Sequence, residues 1–198
     1  HQDFVHFQGS FANLTCWAPV GDCPIELGGL AVLKGSHQVD HVMQHHFSLG
    51  AGSLMINPEN YKPLGLEWHT TNHEIGDTLI FPALTLHMAL PNITADRLRV
   101  SLDNRYQAVD ETIAEHMLDP HLSNFSHFDW PDVYRDWTSE TYQYYWKQYH
   151  LNLVPRDTSY SDHGFYQACD LARQGNDEAI HHLQRFVKRA AGTPEAAE

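Results

Sequence analysis

Over the first hundred or so positions, apolar residues come in short runs punctuated by glycine, proline, asparagine and aspartate. This is the spacing of strands and turns rather than of long helices. Residues 1–8 alternate enough to predict a strand. Phe11–Val20 predicts a second, with Leu14, Cys16 and Ala18 on one side and Thr15 and Trp17 on the other. Leu30–Lys34 is aliphatic throughout, as a strand buried on both faces would be. Leu66–His69 reads as an edge strand, and residues 38–75 around it are rich in glycine and proline, as a cover for a pocket mouth would be. Thr78–Phe81 and Arg97–Tyr106 are two further strands, broken apart at Pro91-Asn92, with His87 between them.

After Ala108 the alternation fades and helical signals replace it. Thr138 or Ser139 can cap a helix running to about Tyr149. On it Tyr142, Tyr145, Trp146 and Tyr149 would form one stripe that docks on the sheet. Gly164–Arg173 and Asp177–Arg189 predict two more helices, separated by Gly175-Asn176. Thr193–Glu198 is expected to be disordered. The expected organisation is therefore a β core over 1–108 and a helical extension over 109–198, packed on it as part of one domain.

Within this pattern a few residues carry chemistry. If residues 1–8 are extended, His1 and Asp3 share a face ~6.6 Å apart. Both can then reach one ion together with His87. Two histidines and a carboxylate occupy one face of an octahedron and leave three positions open, the arrangement of non-heme Fe(II) oxygenases. An H-x-D tripeptide alone carries little weight; its order before a strand histidine and two arginines, Arg97 and Arg99, carries much more. The arginines are two apart and share a face, so either can aim at the interior that His87 lines. His41, His45 and His46 lack a well-spaced third ligand, and His37 follows a strand end beside Gly35, where a loop-holding role is expected.

In these motifs the chain resembles the phytanoyl-CoA dioxygenase family of Fe(II)- and 2-oxoglutarate-dependent oxygenases, which includes the ectoine hydroxylases. The resemblance is carried by His1-Gln2-Asp3, by Gly29–His37, by Gly76–Phe81, by His87–Asn92 and by Arg99–Tyr106, in that order over residues 1 to about 107. It implies a mainly β fold, a double-stranded β-helix or cupin-like jelly roll, followed here by C-terminal helices. It also implies that an upstream part of the fold lies outside this chain. His1, Asp3 and His87 would hold Fe(II), and Arg99 would pair with the distal carboxylate of 2-oxoglutarate. Family members usually place this arginine one residue nearer the second histidine than Arg99 is, so alignment through Arg99–Asp103 puts one inserted residue in the turn near Ala95; Arg97, which shares the face of Arg99, is the alternative anchor. Ala89 stands where many relatives carry a hydroxyl that helps hold the cosubstrate, and Thr15 on a facing strand is a substitute. Asp3 is the carboxylate that halogenating relatives lack, which favours hydroxylation. The implied reaction consumes O2 and 2-oxoglutarate, hydroxylates an unactivated C–H of a small molecule, and releases succinate and CO2.

Composition narrows the partners. With 25 acidic against 12 basic residues the net charge is −13, which disfavours nucleic acid and anionic membrane surfaces. No apolar run approaches the ~20 residues that span a bilayer. Three cysteines without metal spacing fit a reducing, cytoplasmic setting. Two other readings share this scaffold: a zinc-type hydrolase or isomerase using the same three ligands, and a jelly-roll binding module without catalysis. Substrate identity and oligomeric state are not encoded in any motif of the chain.

Overall fold

A computed structural model describes residues 1–48, 54–121 and 128–190. The terminal stretch expected to be disordered lies outside the described residues. The chain forms two compact units, one made of His1–His45 with Met55–Glu111 and the other of His46–Leu54 with Thr112–Glu198.

The first unit is built on two three-stranded antiparallel sheets. In one, β1 (Leu14–Pro19) lies between β6 (Leu79–Pro82) and β8 (Ser101–Tyr106). In the other, β2 (Leu30–Leu33) lies between β5 (Trp68–His69) and β7 (His87–Ala89). β3 (His45–Phe47) and β4 (Leu54–Ile56) form a separate two-stranded sheet. The run from Gly76 to Gln107 thus supplies three strands to two sheets, and His87 opens the one that crosses over. The register places Thr15 opposite both Phe81 and Arg105, and Val32 opposite His87. β1 alternates as its sequence predicts, with Thr15 and Trp17 buried and Leu14 exposed. Arg97–Val100 precede β8 instead of extending it; residues 92–97 are tied into a turn by Asn92, whose side chain donates to the Arg97 carbonyl.

Two apolar clusters fill this unit. Trp17, Cys23, Leu27, Leu30 and Phe81 form one; Leu33, Met43, Ile56 and Leu86 form the other, with Tyr61 and Trp68 packed against it. The glycine that closes the turn after β1 is constrained: Gly28 has φ 86°, and a Cβ there would lie 2.6 Å from the Leu90 carbonyl oxygen.

The second unit contains the parallel pair β9 (Thr112–Ala114) and β10 (Asn152–Val154), and helices at Trp130–Tyr134, Ser159–Arg173 and Asp177–Ala190. The last two agree with the sequence pattern. Phe47, Ala168 and Ala179 form their core. The helix expected over 138–149 does not form. That segment is turns ending in a short 3-10 helix, Tyr145–Gln148, because its aromatic residues pack on a local cluster instead of along one helical face. Tyr134 stacks on Trp130, and Tyr144 and Trp146 close around the same pair.

Candidate metal centre

The first eight residues are not a strand. His1 exchanges backbone hydrogen bonds with His87 in both directions, each 3.1 Å long. The chain then turns at once: Asp3 has helical angles, and its carbonyl accepts from the His6 and Phe7 amides at the start of a single turn, Phe4–Phe7. The mutual bonding with β7 holds His1 beside His87, and the turn swings Asp3 back toward both. His1 and Asp3 thus meet beside His87 through a turn and a backbone pairing, not by sharing a strand face.

Between the two, Gln2 is fully buried. Its amide donates to the carbonyls of Leu84 and His41, at 3.0 and 3.3 Å, and its oxygen accepts from the Met43 amide at 2.7 Å. The Gln2 amide N–H donates to His45 Nε2 at 3.1 Å, while His45 Nδ1 faces the Met43 carbonyl at 2.8 Å. His45 is thus a structural histidine that bolts residues 41–45 to the H-x-D segment.

Three side chains meet at the centre. His1 Nε2 lies 3.3 Å and His87 Nε2 3.5 Å from the same oxygen, Asp3 Oδ1. One donor atom from each of the three lies within 4.8 Å of the others, the one such group found among the described residues. His87 Nδ1 faces the Thr85 carbonyl at 3.1 Å. A carbonyl only accepts, so Nδ1 carries the proton and the lone pair of Nε2 points at Asp3. Burial pushes His87 down to about 4, against the opposing pull of Asp3, so near neutrality this contact is not an ion pair. Burial would raise the Asp3 carboxyl, but hydrogen bonding from His1, the charge of Arg105, the Thr15 hydroxyl and, in acid where its imidazole is protonated, the charge of His87 outweigh it. They hold it well below the usual carboxylate range. A neutral imidazole lone pair and an ionised carboxylate facing each other, both buried, call for a cation between them. The donor set of two nitrogens and one oxygen suits a divalent first-row metal.

The second carboxylate oxygen is already engaged. Asp3 Oδ2 accepts from the Thr15 hydroxyl at 2.5 Å and from Arg105 Nη2 at 2.9 Å. Thr15 therefore supports Asp3 directly. Arg105 was not singled out by the sequence, although it continues the alternation of Arg99, Ser101 and Asp103 along one strand face, which was the available signal. Arg99 lies with its guanidinium carbon 5.8 Å from the centroid of the buried Trp17 ring and donates to Ser101 Oγ at 2.7 Å. It lines a cavity of about 230 Å³ with Val20, Cys23, Leu27 and Leu98. Arg97 is half exposed and lies 3.9 Å from Glu26. Trp17, Tyr61 and Trp68 are packed in the apolar clusters, and Phe7 lies beneath Arg105, 4.1 Å from its guanidinium carbon.

The family model described as phytanoyl-CoA dioxygenase (PhyH) matches residues 1–101. The chain belongs to this family. Among curated members, it is 27% identical over 141 residues to the 1-deoxypentalenic acid 11-beta-hydroxylases of Streptomyces arenae and Streptomyces exfoliatus. Each match covers 69% of this chain and 47% of the relative, so the chain spans about half the length of these hydroxylases. Solved structures with partial likeness include the non-heme alpha-ketoglutarate-dependent epimerase SnoN from nogalamycin biosynthesis, at 24% identity and TM-score 0.40, covering 56% of this chain and 38% of that one. Another is EvdO2 from Micromonospora carbonacea var. aurantiaca complexed with 2-oxoglutarate, at 21% identity and TM-score 0.42, covering 56% of this chain and 47% of that one. Family membership agrees with the architecture above, mainly β with C-terminal helices, and with the jelly-roll class.

Proposed function

We propose that the chain carries the catalytic centre of an Fe(II)- and 2-oxoglutarate-dependent dioxygenase that hydroxylates an unactivated C–H of a small molecule, releasing succinate and CO2. The observation that carries this reading is the convergence of His1 Nε2, Asp3 Oδ1 and His87 Nε2 in one largely buried cluster. These three would hold the iron. When bound with 2-oxoglutarate and O2, the metal supplies the oxidising power for C–H cleavage.

The chain's own residues orient and shield. The backbone pair between His1 and His87 and the hydrogen bond from Nδ1 to Thr85 set the imidazole directions. Arg99 is the preferred anchor for the distal carboxylate of 2-oxoglutarate. It lines a cavity, and its guanidinium is held there by donating to Ser101 Oγ, whose hydroxyl in turn faces Asp103. Thr15, which touches Asp3, and Trp17, which lies under Arg99, sit two residues apart on β1, ~6.8 Å along the strand. Arg97, on the far side of the turn beside Glu26, has no such surroundings.

The test is 2-oxoglutarate turnover with Fe(II), followed as succinate with a panel of small apolar acids and other candidate substrates. His87→Ala is expected to abolish it, and Arg99→Ala to raise the KM for 2-oxoglutarate by about tenfold or more, as loss of a bidentate charged contact does. Metal-dependent hydrolysis that is indifferent to Arg99→Ala would overturn the reading.

A further inference from the structure

Arg105 is bound up with Asp3 more closely than a structural ion pair requires. We propose that Arg105 is a positioning residue which, with Thr15, confines Asp3 to one-oxygen coordination and so keeps a metal position open for the 2-oxo acid. This rests on the metal reading above. The two Asp3 oxygens have separate surroundings. Oδ1 faces both histidines. Oδ2 faces away from that pair of contacts into two donors, Thr15 Oγ1 and Arg105 Nη2. Those donors stand at paired positions on adjacent strands, Thr15 opposite Arg105, so the sheet register delivers both to one atom.

Arg105 has little freedom to let go. Its side chain is 15% exposed, its guanidinium rests on the Phe7 ring, and its Nη1 donates to the Asn104 carbonyl at 3.3 Å. Its Nε is buried without an acceptor, so the orientation follows from Asp3 and Phe7 rather than from a wider polar network. Turning Oδ2 onto a metal would break two bonds to a desolvated carboxylate, one of them charge-assisted. Charge arithmetic points the same way. Asp3 and Arg105 cancel, leaving the two positive charges of the metal for a dianion such as 2-oxoglutarate. Without Arg105, Asp3 would neutralise half of that charge and would be free to chelate through both oxygens.

The experiment uses anaerobic protein titrated first with Fe(II) and then with 2-oxoglutarate, read by calorimetry and by the visible absorption of the iron–2-oxo acid chelate. In Arg105→Met the Kd for 2-oxoglutarate is expected to rise about tenfold or more, well beyond any rise in the Kd for Fe(II), because the freed carboxylate chelates through both oxygens. Arg105→Lys, which restores charge without the fork, should recover part of that loss. Crystals soaked with Mn(II) should show Asp3 bound through Oδ1 alone in the parent and through both oxygens in Arg105→Met. A merely structural role would weaken Fe(II) and 2-oxoglutarate binding together. That result overturns the proposal, as does an unchanged Kd for 2-oxoglutarate. Should Arg105→Met fail to fold, Thr15→Val reads the same quantity with the arginine in place, and parent-like 2-oxoglutarate binding there is equally decisive against it. A parent protein that takes up no Fe(II) would instead sink the metal reading itself.

Discussion

His87 and Asp3 show how burial sets the state of a side chain before any ligand arrives. Each is almost fully enclosed, His87 at 6% exposure and Asp3 at 2%. Enclosure without a charged partner of its own would neutralise a carboxyl, yet Asp3 stays ionised because His1, Arg105 and Thr15 favour its charged form. His87 goes the other way and is neutral well below pH 6. Both groups favour the folded state at higher pH, by the same linkage. The unfolded chain binds a proton at His87 once pH falls below about 6.5, while the folded chain resists until about 4. Stability is therefore lost across that window, by on the order of 3 kcal/mol from this residue. Asp3 adds a further loss below its unfolded value of 3.8. Urea unfolding of metal-free protein at pH 7, 5.5 and 4.5 should show this slope, and His87→Gln should flatten it. A variant with the parent's pH dependence would mean that His87 titrates normally. The neutral imidazole also means that metal uptake near pH 7 displaces no proton from His87.

Among the elements, the short segment holding the H-x-D tripeptide is bonded on both sides. On one side His1 pairs with β7; on the other, Gln2 and His45 attach residues 41–45. Gln2 satisfies three backbone groups from two separate stretches, so its removal strands the Met43 amide and the Leu84 carbonyl in a dry interior. Gln2→Leu is expected to cost about 2–4 kcal/mol in unfolding free energy, more than the loss of a single exposed hydrogen bond. A cost below about 0.5 kcal/mol would show that water replaces the amide and that the staple is dispensable. The strands differ from this segment in being readable: β1, β2 and β6 follow directly from alternation or aliphatic runs. The segment before Leu14 does not, because one tripeptide there serves hydrogen bonds to three distant stretches. The aromatic stretch after Thr138 misleads for a related reason, since helical spacing describes it equally well until a neighbouring aromatic cluster competes for the same rings.

At the level of the molecule, the chain divides into two compact units, and every residue proposed to touch iron belongs to the first. Among the described residues no helix is long and apolar enough to cross a membrane, and the net charge of −13 makes polyanions poor partners. Cation binding should couple to the stability of the first unit, since its ligands come from both ends of a segment 87 residues long. Mn(II), which does not turn over under air as iron does, should raise the melting temperature with the logarithm of its concentration above its Kd. At a hundred times its Kd the gain is about 2.7 kcal/mol. Asp3→Ala should abolish the shift and a chelator should reverse it. A shift that survives in Asp3→Ala would place the cation elsewhere.

The chain by itself determined its candidate ligand set, its strand alternation and its two C-terminal helices. Those features are local: side-chain periodicity and residue chemistry are written in neighbouring positions, and family motifs in order along 1–107 make the set specific. Tertiary structure alone decided that His1 reaches His87 through paired backbone and not through a strand. It alone separated Arg99, beside a cavity, from Arg97, beside Glu26. The partnership of Arg105 with Asp3 was likewise invisible beforehand. It joins residues 102 positions apart through the register of β1 against β8, and register is set by the packing of whole strands rather than by any one of their residues.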